Sequence, residues 1–171
     1  LLGDTEYADA AREQIRLCEQ ACDRMDSGIA TLRREPQVMT AFRYANEAMA
    51  AQRARTGWIK GGMQGEPDPE TGIWRPFQIA FLLLALNGIV DPEHDDRRVA
   101  DLLWFPTGGG KTEAYLGIIA FTVFLRRLRK RDAGGGVTAI MRYTLRLLTL
   151  QQFERAAALI CAMEIMRRRR P

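Results

Sequence analysis

The sequence predicts an α/β protein, in which an α-helical hairpin precedes an incomplete domain with parallel strands. Apolar residues recur with a helical period over the first 56 residues, whereas short apolar segments alternate with long amphipathic ones after residue 74. A stretch rich in glycine and proline separates these two regions. With 171 residues, of which 47% are hydrophobic, the chain is long enough to bury a core.

Residues 1–56 form the predicted helical accessory region. The apolar positions of its first helix step by three and four residues, at Ala8, Ala11, Ile15, Cys18, Cys22, Met25, Ile29 and Leu32. Pro36 interrupts this pattern and the same spacing resumes from Val38, so two helices joined by a short turn are predicted. We interpret the apolar seam as packing within the chain, with Cys18 and Cys22 packed in it, rather than as a dimer contact.

Residues 57–73 hold five glycines and two prolines and form the predicted linker. The domain that follows, residues 74–171, opens with a helix that begins at Pro76. Its next elements are a strand, a loop, a helix, a strand and a helix, at Val99–Phe105, Pro106–Gly110, Lys111–Arg129, Val137–Arg142 and Leu145–Met166. Strands that are separated by a helix at this spacing pair in parallel, so a parallel sheet is predicted.

Charge is distributed unevenly along the chain. Residues 1–120 hold 13 Lys and Arg against 18 Asp and Glu, whereas residues 121–171 hold 12 against three. A basic final third of this kind fits a partner that carries phosphate groups, which makes nucleic acid a candidate. The alternative is that these arginines are solvated helix ends that complement the helix dipole.

Several classes of protein are disfavoured by the same inspection. The apolar runs are too short to cross a membrane, and three cysteines fit a reduced, cytoplasmic chain rather than a disulfide scaffold. The single histidine, His94, has no second His or Cys at ligand spacing, so no metal site is expected there. The chain starts without methionine or a basic leader and stops within a helical pattern, which predicts a segment of a longer protein.

The strongest motif lies at the predicted strand-to-helix junction. Consecutive glycines allow backbone N–H groups to point at phosphate oxygens, and the following helix adds its positive N-terminal end. A lysine and a threonine at the start of that helix suit binding of the β- and γ-phosphates and of Mg²⁺. The predicted nucleotide-binding residues here are Thr107, Gly108, Gly109, Gly110, Lys111 and Thr112. Lys111 and Thr112 are the predicted catalytic residues, and Thr112 is the predicted Mg²⁺ ligand.

Phe105 stands where the general form of this motif has its first glycine. The alternative interpretation, a glycine-rich turn beside a chance Lys-Thr, is disfavoured by the strand and helix that flank the loop. The run from Pro106 to Thr112 resembles the phosphate-binding loop of superfamily 2 helicases, in which that first glycine is commonly replaced. This resemblance implies a partial RecA-like P-loop NTPase domain that binds ATP and Mg²⁺.

A second segment, residues 75–78, is similar to the glutamine motif that lies upstream of the loop in the same helicases. The resemblance implies that Gln78 reads the adenine base, and a glutamine amide can pair with an adenine edge through two hydrogen bonds. The alternative is that Gln78 is a polar position on an amphipathic helix.

A third segment, residues 144–151, looks like motif Ia of the family, although Thr144-Leu145 departs from its usual Pro-Thr. The resemblance implies contacts with the phosphates of a single strand, and arginines with backbone amides at a helix start suit that role. The predicted nucleic-acid-binding residues are Arg142, Thr144, Arg146 and Gln151. A solvated helix face remains the alternative.

Residues 102–117 and 141–149 narrow the resemblance to the large helicase subunit of DISARM bacterial phage-defence systems, over about residues 74–171. That family implies an ATP-driven translocase on DNA, most simply on single-stranded DNA, with other defence proteins as partners. The helical residues 1–56 carry no motif of the family.

The acidic motif that would hold Mg²⁺ and orient the attacking water has no counterpart in the sequence. The acidic residues after residue 121 are Asp132, Glu154 and Glu164, and none ends a predicted strand, while Glu113 suits a first-turn acid. We therefore expect the chain to bind ATP without hydrolysing it at a useful rate. Two other hypotheses remain: a P-loop remodelling ATPase that acts on protein, and a non-catalytic module that binds nucleic acid or partners.

Overall fold

The computed structural model describes residues 7–106, 108–142 and 146–169, and these residues form five long helices joined by irregular segments. The helices are α1 (Ala8–Arg34), α2 (Pro36–Lys60), α3 (Pro76–Val90), α4 (Lys111–Lys130) and α5 (Arg146–Arg169). Short 3₁₀ turns lie at Pro69–Thr71, Asp95–Arg98 and Arg131–Gly134. Within these described ranges no helix is both long and apolar enough to cross a membrane.

The starts of the helices are where the sequence signals predict them. Pro36 and Pro76 are the first residues of α2 and α3, positions where the missing N–H of proline leaves no helical hydrogen bond unmade. Helix α4 begins at Lys111, directly after the glycine loop. The break between the first two helices is also where the sequence predicts it, since Glu35 alone separates α1 from α2.

The predicted α/β fold, a partial RecA-like domain with parallel strands, is wrong for the described residues, because they contain helices and no β-strand. Val99–Phe105 and Val137–Arg142, the two predicted strands, run without helix or sheet pairing. A strand needs a neighbouring strand for its backbone hydrogen bonds, and the described chain brings none beside either segment. Apolar side chains in both segments lie in solvent instead of a core, since Trp104 and Ile140 are each 87% exposed.

One hydrophobic core connects the hairpin with the helices that follow it. The four largest fully buried side chains are Val38, Leu86, Leu116 and Leu159, one each from α2, α3, α4 and α5. Helix α2 packs on α4 and α5, while α1 packs mainly on α3. The first two helices therefore share one core with α4, the helix that follows the glycine loop.

Helices α1 and α3 cross closely at Gly28. A Cβ atom at this position would lie 2.3 Å from the carbonyl oxygen of Leu83, so only glycine allows the approach. Beside the crossing, the buried Thr31 hydroxyl donates to Asn87 Oδ1 at 2.7 Å, and Asn87 Nδ2 donates to Ser27 Oγ at 2.8 Å. These hydrogen bonds satisfy polar groups that would otherwise be costly to bury.

The apolar seam of α1 is buried at Ala8 and Leu32 but not between them at Ile15, Cys18 and Cys22. Ile15 is 51% exposed and both cysteines are exposed, so the predicted packing is wrong at these three positions. The reason is length: α1 has 27 residues and α3 has 15, so α1 extends past the helix that covers it.

Candidate functional site

A cavity of about 610 Å³ opens between α2, α5, the start of α4 and the segment before α3. We call two of its sides the loop wall and the helix wall. The loop wall consists of Gly108, Gly110, Lys111, Thr112 and Glu113. The helix wall consists of Asn46, Gln52 and Arg53 from α2 with Gln151, Gln152 and Arg155 from α5. The two walls come from parts of the chain that are far apart in sequence.

Backbone conformation at the loop wall requires glycine. Gly108 has φ +79° and Gly110 has φ +96°, both in the left-handed region that L side chains rarely adopt. The Gly109 N–H donates to the carbonyl oxygen of Pro106 at 3.0 Å, which closes a turn. Gly110 is the N-cap of α4, so the first-turn N–H groups of that helix lie at the cavity. Thr107, also predicted to bind nucleotide, lies outside the described residues.

Lys111 and Phe105 show how the loop is held. The Lys111 ammonium donates to the carbonyl oxygens of Phe105 and of Pro106, the latter at 3.1 Å. These neutral acceptors leave the positive charge uncompensated, so a phosphate is a stronger partner for the same group. The Phe105 ring stacks on Phe77 of α3, with 3.9 Å between ring centroids and 15° between planes. The residue that departs from the general motif therefore anchors the loop to α3.

Gln78 connects the start of α3 to the loop wall. Its side chain is buried, Oε1 accepts from the Arg75 N–H at 2.8 Å, and Nε2 donates to the Gly110 carbonyl oxygen at 2.8 Å. Arg75 Nη1 adds a hydrogen bond to the Gly109 carbonyl oxygen at 2.7 Å. In this geometry the Gln78 amide holds the loop in place, and its predicted contact with an adenine base stays a prediction.

An ion pair joins the two walls. Arg155 of α5 pairs with Glu113 in the first turn of α4. Burial, together with the nearby positive charge of Arg53, lowers the pKa of Arg155, although an arginine remains charged at neutral pH. Glu113 Oε2 and Gln152 Oε1 are buried without a hydrogen-bond partner among the described residues, so two polar atoms near the cavity are unsatisfied.

The segment that leads into the loop is tied to α1. Arg24 Nη1 donates to Asp101 Oδ1 at 2.7 Å, and Arg24 Nη2 donates to the Leu84 carbonyl oxygen at 3.2 Å. A second carboxylate, that of Asp96, lies 3.2 Å from Arg24 Nε. Helix α1 thus positions the chain immediately before the glycine loop, through a contact for which the sequence offers no local signal.

The residues predicted to bind nucleic acid are placed differently from one another. Arg142 is exposed in an irregular segment, and Arg146 is the first residue of α5. Gln151 lies on the helix wall and lines the same cavity as the loop wall. Thr144 falls outside the described residues. The structure therefore brings Gln151 together with the predicted nucleotide-binding residues.

Several residues that line the cavity belong to no motif that the sequence reveals. Asn46, Gln52 and Arg53 belong to α2, and Arg155 reads in sequence as one more arginine of a basic helix. Trp74 is fixed at the cavity because its Nε1 donates to Asn46 Oδ1 at 2.6 Å. The sequence signal that could have found one of these residues is that Trp74 directly precedes the glutamine motif, residues 75–78.

The cavity offers few ligands for a metal ion. Within the part of the chain that the structure describes, no group of three or more His, Cys, Asp or Glu residues could hold one. The Thr112 hydroxyl lines the cavity and suits one position on Mg²⁺. Mg²⁺ commonly takes its remaining ligands from substrate phosphates and water, so the residues fit an ion that arrives with a nucleotide.

Comparison with known proteins relates the chain to a protein of a bacterial defence system. No family model matches the chain. The DISARM protein DrmA of Bacillus paralicheniformis is 42% identical to it over 172 aligned positions, which cover 94% of this chain and 15% of the relative. The chain thus spans less than a sixth of that protein's length, and over this part it is related to a DISARM protein.

Proposed function

We propose that this chain is the ATP-binding part of a DNA helicase or translocase that acts in bacterial anti-phage defence. The observation that carries the proposal is the cavity at the start of α4, where left-handed Gly108 and Gly110 precede Lys111 and Thr112. The backbone N–H groups of a helix N-terminus and a lysine together form an arrangement suited to phosphate. The similarity to a DISARM protein supports the role in defence.

The charge of the cavity fits a polyphosphate ligand. Four basic side chains and one carboxylate line it, namely Arg53, Arg75, Lys111, Arg155 and Glu113. Glu113 is already paired with Arg155, so the remaining cations face the cavity without a carboxylate there to neutralise them. A nucleoside triphosphate with Mg²⁺ has the charge and the size for such a site.

In this proposal some residues of the cavity bind the ligand and others hold the loop in position. Lys111 and the first-turn N–H groups of α4 bind phosphate oxygens, and the Thr112 hydroxyl holds Mg²⁺, which neutralises phosphate charge when it is bound. Gln78 and Arg75 hold the carbonyl groups of Gly110 and Gly109, so the loop keeps its conformation beside the first turn of α4. Gln78 also contacts the base in this proposal.

Hydrolysis needs a group that orients water, and the cavity provides no obvious one. Among the acidic residues that the structure describes, Glu113 is the one that lines the cavity. One of its two carboxylate oxygens, Oε1, is paired with Arg155. We therefore propose that the chain binds ATP and does not hydrolyse it at a useful rate alone. A clear ATPase rate that disappears in Lys111→Ala would contradict this part.

Nucleic acid, most simply single-stranded DNA, is the proposed partner. The support is the 12 Lys and Arg against three acidic residues over positions 121–171, including Arg142 and Arg146. Phosphate contacts release counterions, so binding should weaken steeply as salt rises. Absence of binding at low salt, or binding that ignores salt, would contradict the proposal. Other proteins of the defence system are the remaining proposed partners.

Isothermal titration of the 171-residue chain with MgATP tests the central proposal. Wild type should bind ATP, and Lys111→Ala should weaken binding by about 10- to 100-fold because it removes a charge-assisted contact to phosphate. Lys60→Ala is the matched control, since Lys60 is an exposed lysine at the end of α2, away from the cavity. It should bind like wild type.

The outcomes separate the competing functions. No ATP binding by wild type would refute nucleotide binding and favour a module that binds nucleic acid or partners without chemistry. ATP binding without any single-stranded DNA binding would favour a remodelling ATPase that acts on protein. Both activities together, with Lys111→Ala affecting only the first, support the proposal.

A further inference from the structure

Arg53 is a cation of the cavity that the phosphate-loop motif does not account for. It belongs to α2, in the helical hairpin, yet it lines the same cavity as Lys111 and Arg155. Among the described residues no hydrogen bond or ion pair engages its side chain. An unpaired guanidinium at a concave surface is available to an anionic ligand, and its planar fork suits phosphate oxygens.

The cavity places Arg53 in the company of the first turn of α4. Arg155 is held by Glu113 in the first turn of α4. Arg53 lines the same cavity as this ion pair. Lys111 and Thr112, in the same turn of α4 as Glu113, line it too, so Arg53 shares one concave surface with the first turn of α4. Those two residue types bind the β- and γ-phosphates and their Mg²⁺.

We propose that Arg53 binds the terminal phosphate of a nucleoside triphosphate held by the loop wall, which makes the helical hairpin part of the nucleotide site. The inference rests on the proposed function and extends it to a residue outside every motif. Two consequences follow from the added charge. Triphosphate binding gains more than diphosphate binding, and nucleotide binding becomes coupled to the packing of α2 against α4 and α5.

The test is titration of the 171-residue chain with MgATP and, separately, with MgADP. Arg53→Ala should raise the Kd for ATP about tenfold and the Kd for ADP by about twofold or less, because ADP lacks the contacted phosphate. Arg53→Lys should keep part of the ATP affinity, since the charge remains while the fork is lost. The control is Arg55→Ala, on the same helix, where the guanidinium packs 5.4 Å from the centre of the Trp58 ring. It should change neither Kd.

Each result has a distinct meaning. If wild type binds neither nucleotide, the proposed function itself fails. If wild type binds ATP and Lys111→Ala loses it, while Arg53→Ala leaves the ratio of the two Kd values unchanged, the proposed function stands and this inference is overturned. If Arg53→Ala leaves ATP binding intact and weakens single-stranded DNA binding, Arg53 belongs to the nucleic-acid surface, which also overturns the inference. Far-UV circular dichroism verifies that every variant keeps the helical fold.

Discussion

The loop wall and the helix wall of the cavity are built in opposite ways. The loop wall comes from five residues within the short stretch 108–113, and presents mainly backbone groups at the start of α4. The helix wall presents side chains of α2 and α5, elements that are almost 100 residues apart in the chain. The loop wall therefore depends on local backbone conformation, whereas the helix wall depends on the packing of helices that are distant in sequence.

This difference has consequences for how each wall responds to substitution. A wall of backbone groups depends on conformations that only glycine adopts cheaply, so an added methyl group can disable it. A wall of side chains loses one contact at a time and keeps its shape, because the core beneath it remains packed. Substitutions in the loop wall should therefore have the larger effects on nucleotide binding.

The largest effect among these substitutions is expected from Gly110→Ala. It places a Cβ atom 2.7 Å from Gln78 Nε2 and forces alanine to φ +96°, which costs about 1–2 kcal/mol before any crowding. We expect ATP affinity to fall by more than about tenfold, as measured by titration calorimetry. Gly108→Ala is the control, since φ is +79° there but no atom lies within 4 Å of the added Cβ. Equal losses in the two variants would contradict the role of Gln78 crowding.

An intermediate effect is expected from Gln78→Ala, which sharpens the distinction between holding the loop and reading the base. It leaves the Arg75 N–H and the Gly110 carbonyl without their partner, at a cost of about 1–3 kcal/mol. If the amide holds the loop, affinities for ATP and GTP fall together. A loss confined to ATP would show that Gln78 reads adenine. Gln20→Ala, at an exposed position of α1, is the control.

The smallest effect is expected at the far end of α5, from Glu164→Gln. Hydrogen bonds from Arg167 and Arg168 lower the pKa of Glu164 from 4.5 to about 2. Because the pKa is lower in the folded chain, the stabilisation is present above pH 4.5 and is lost as the pH falls towards 2. Thermal melts of wild type and variant should differ slightly at pH 7 and converge near pH 2. Glu164 does not line the cavity, so ATP binding should be unchanged in this variant. Weaker ATP binding would contradict the expectation that only the cavity-lining part of α5 contributes.

The fold was predictable where the signal was local. Proline at the first residue of α2 and of α3, and the glycine loop before α4, mark where these helices begin, and those predictions are confirmed. The strands at Val99–Phe105 and Val137–Arg142 were wrong because an apolar run specifies neither its partner nor its hydrogen bonds. The seam of α1 failed for a similar reason, since its period indicated a helix face but not how far α3 would cover it.

The candidate site also has a part that local sequence predicts and a part that only the structure reveals. By itself, the sequence determined the helices and the glycine loop with its lysine and threonine, because helix propensity, capping and left-handed glycine are properties of neighbouring residues. Only the tertiary structure decided that Arg53, Asn46 and Arg155 lie at the same cavity. Their positions depend on how α2 and α5 pack against α4, and this packing is set by buried contacts such as Val38, Leu116 and Leu159 rather than by any local pattern.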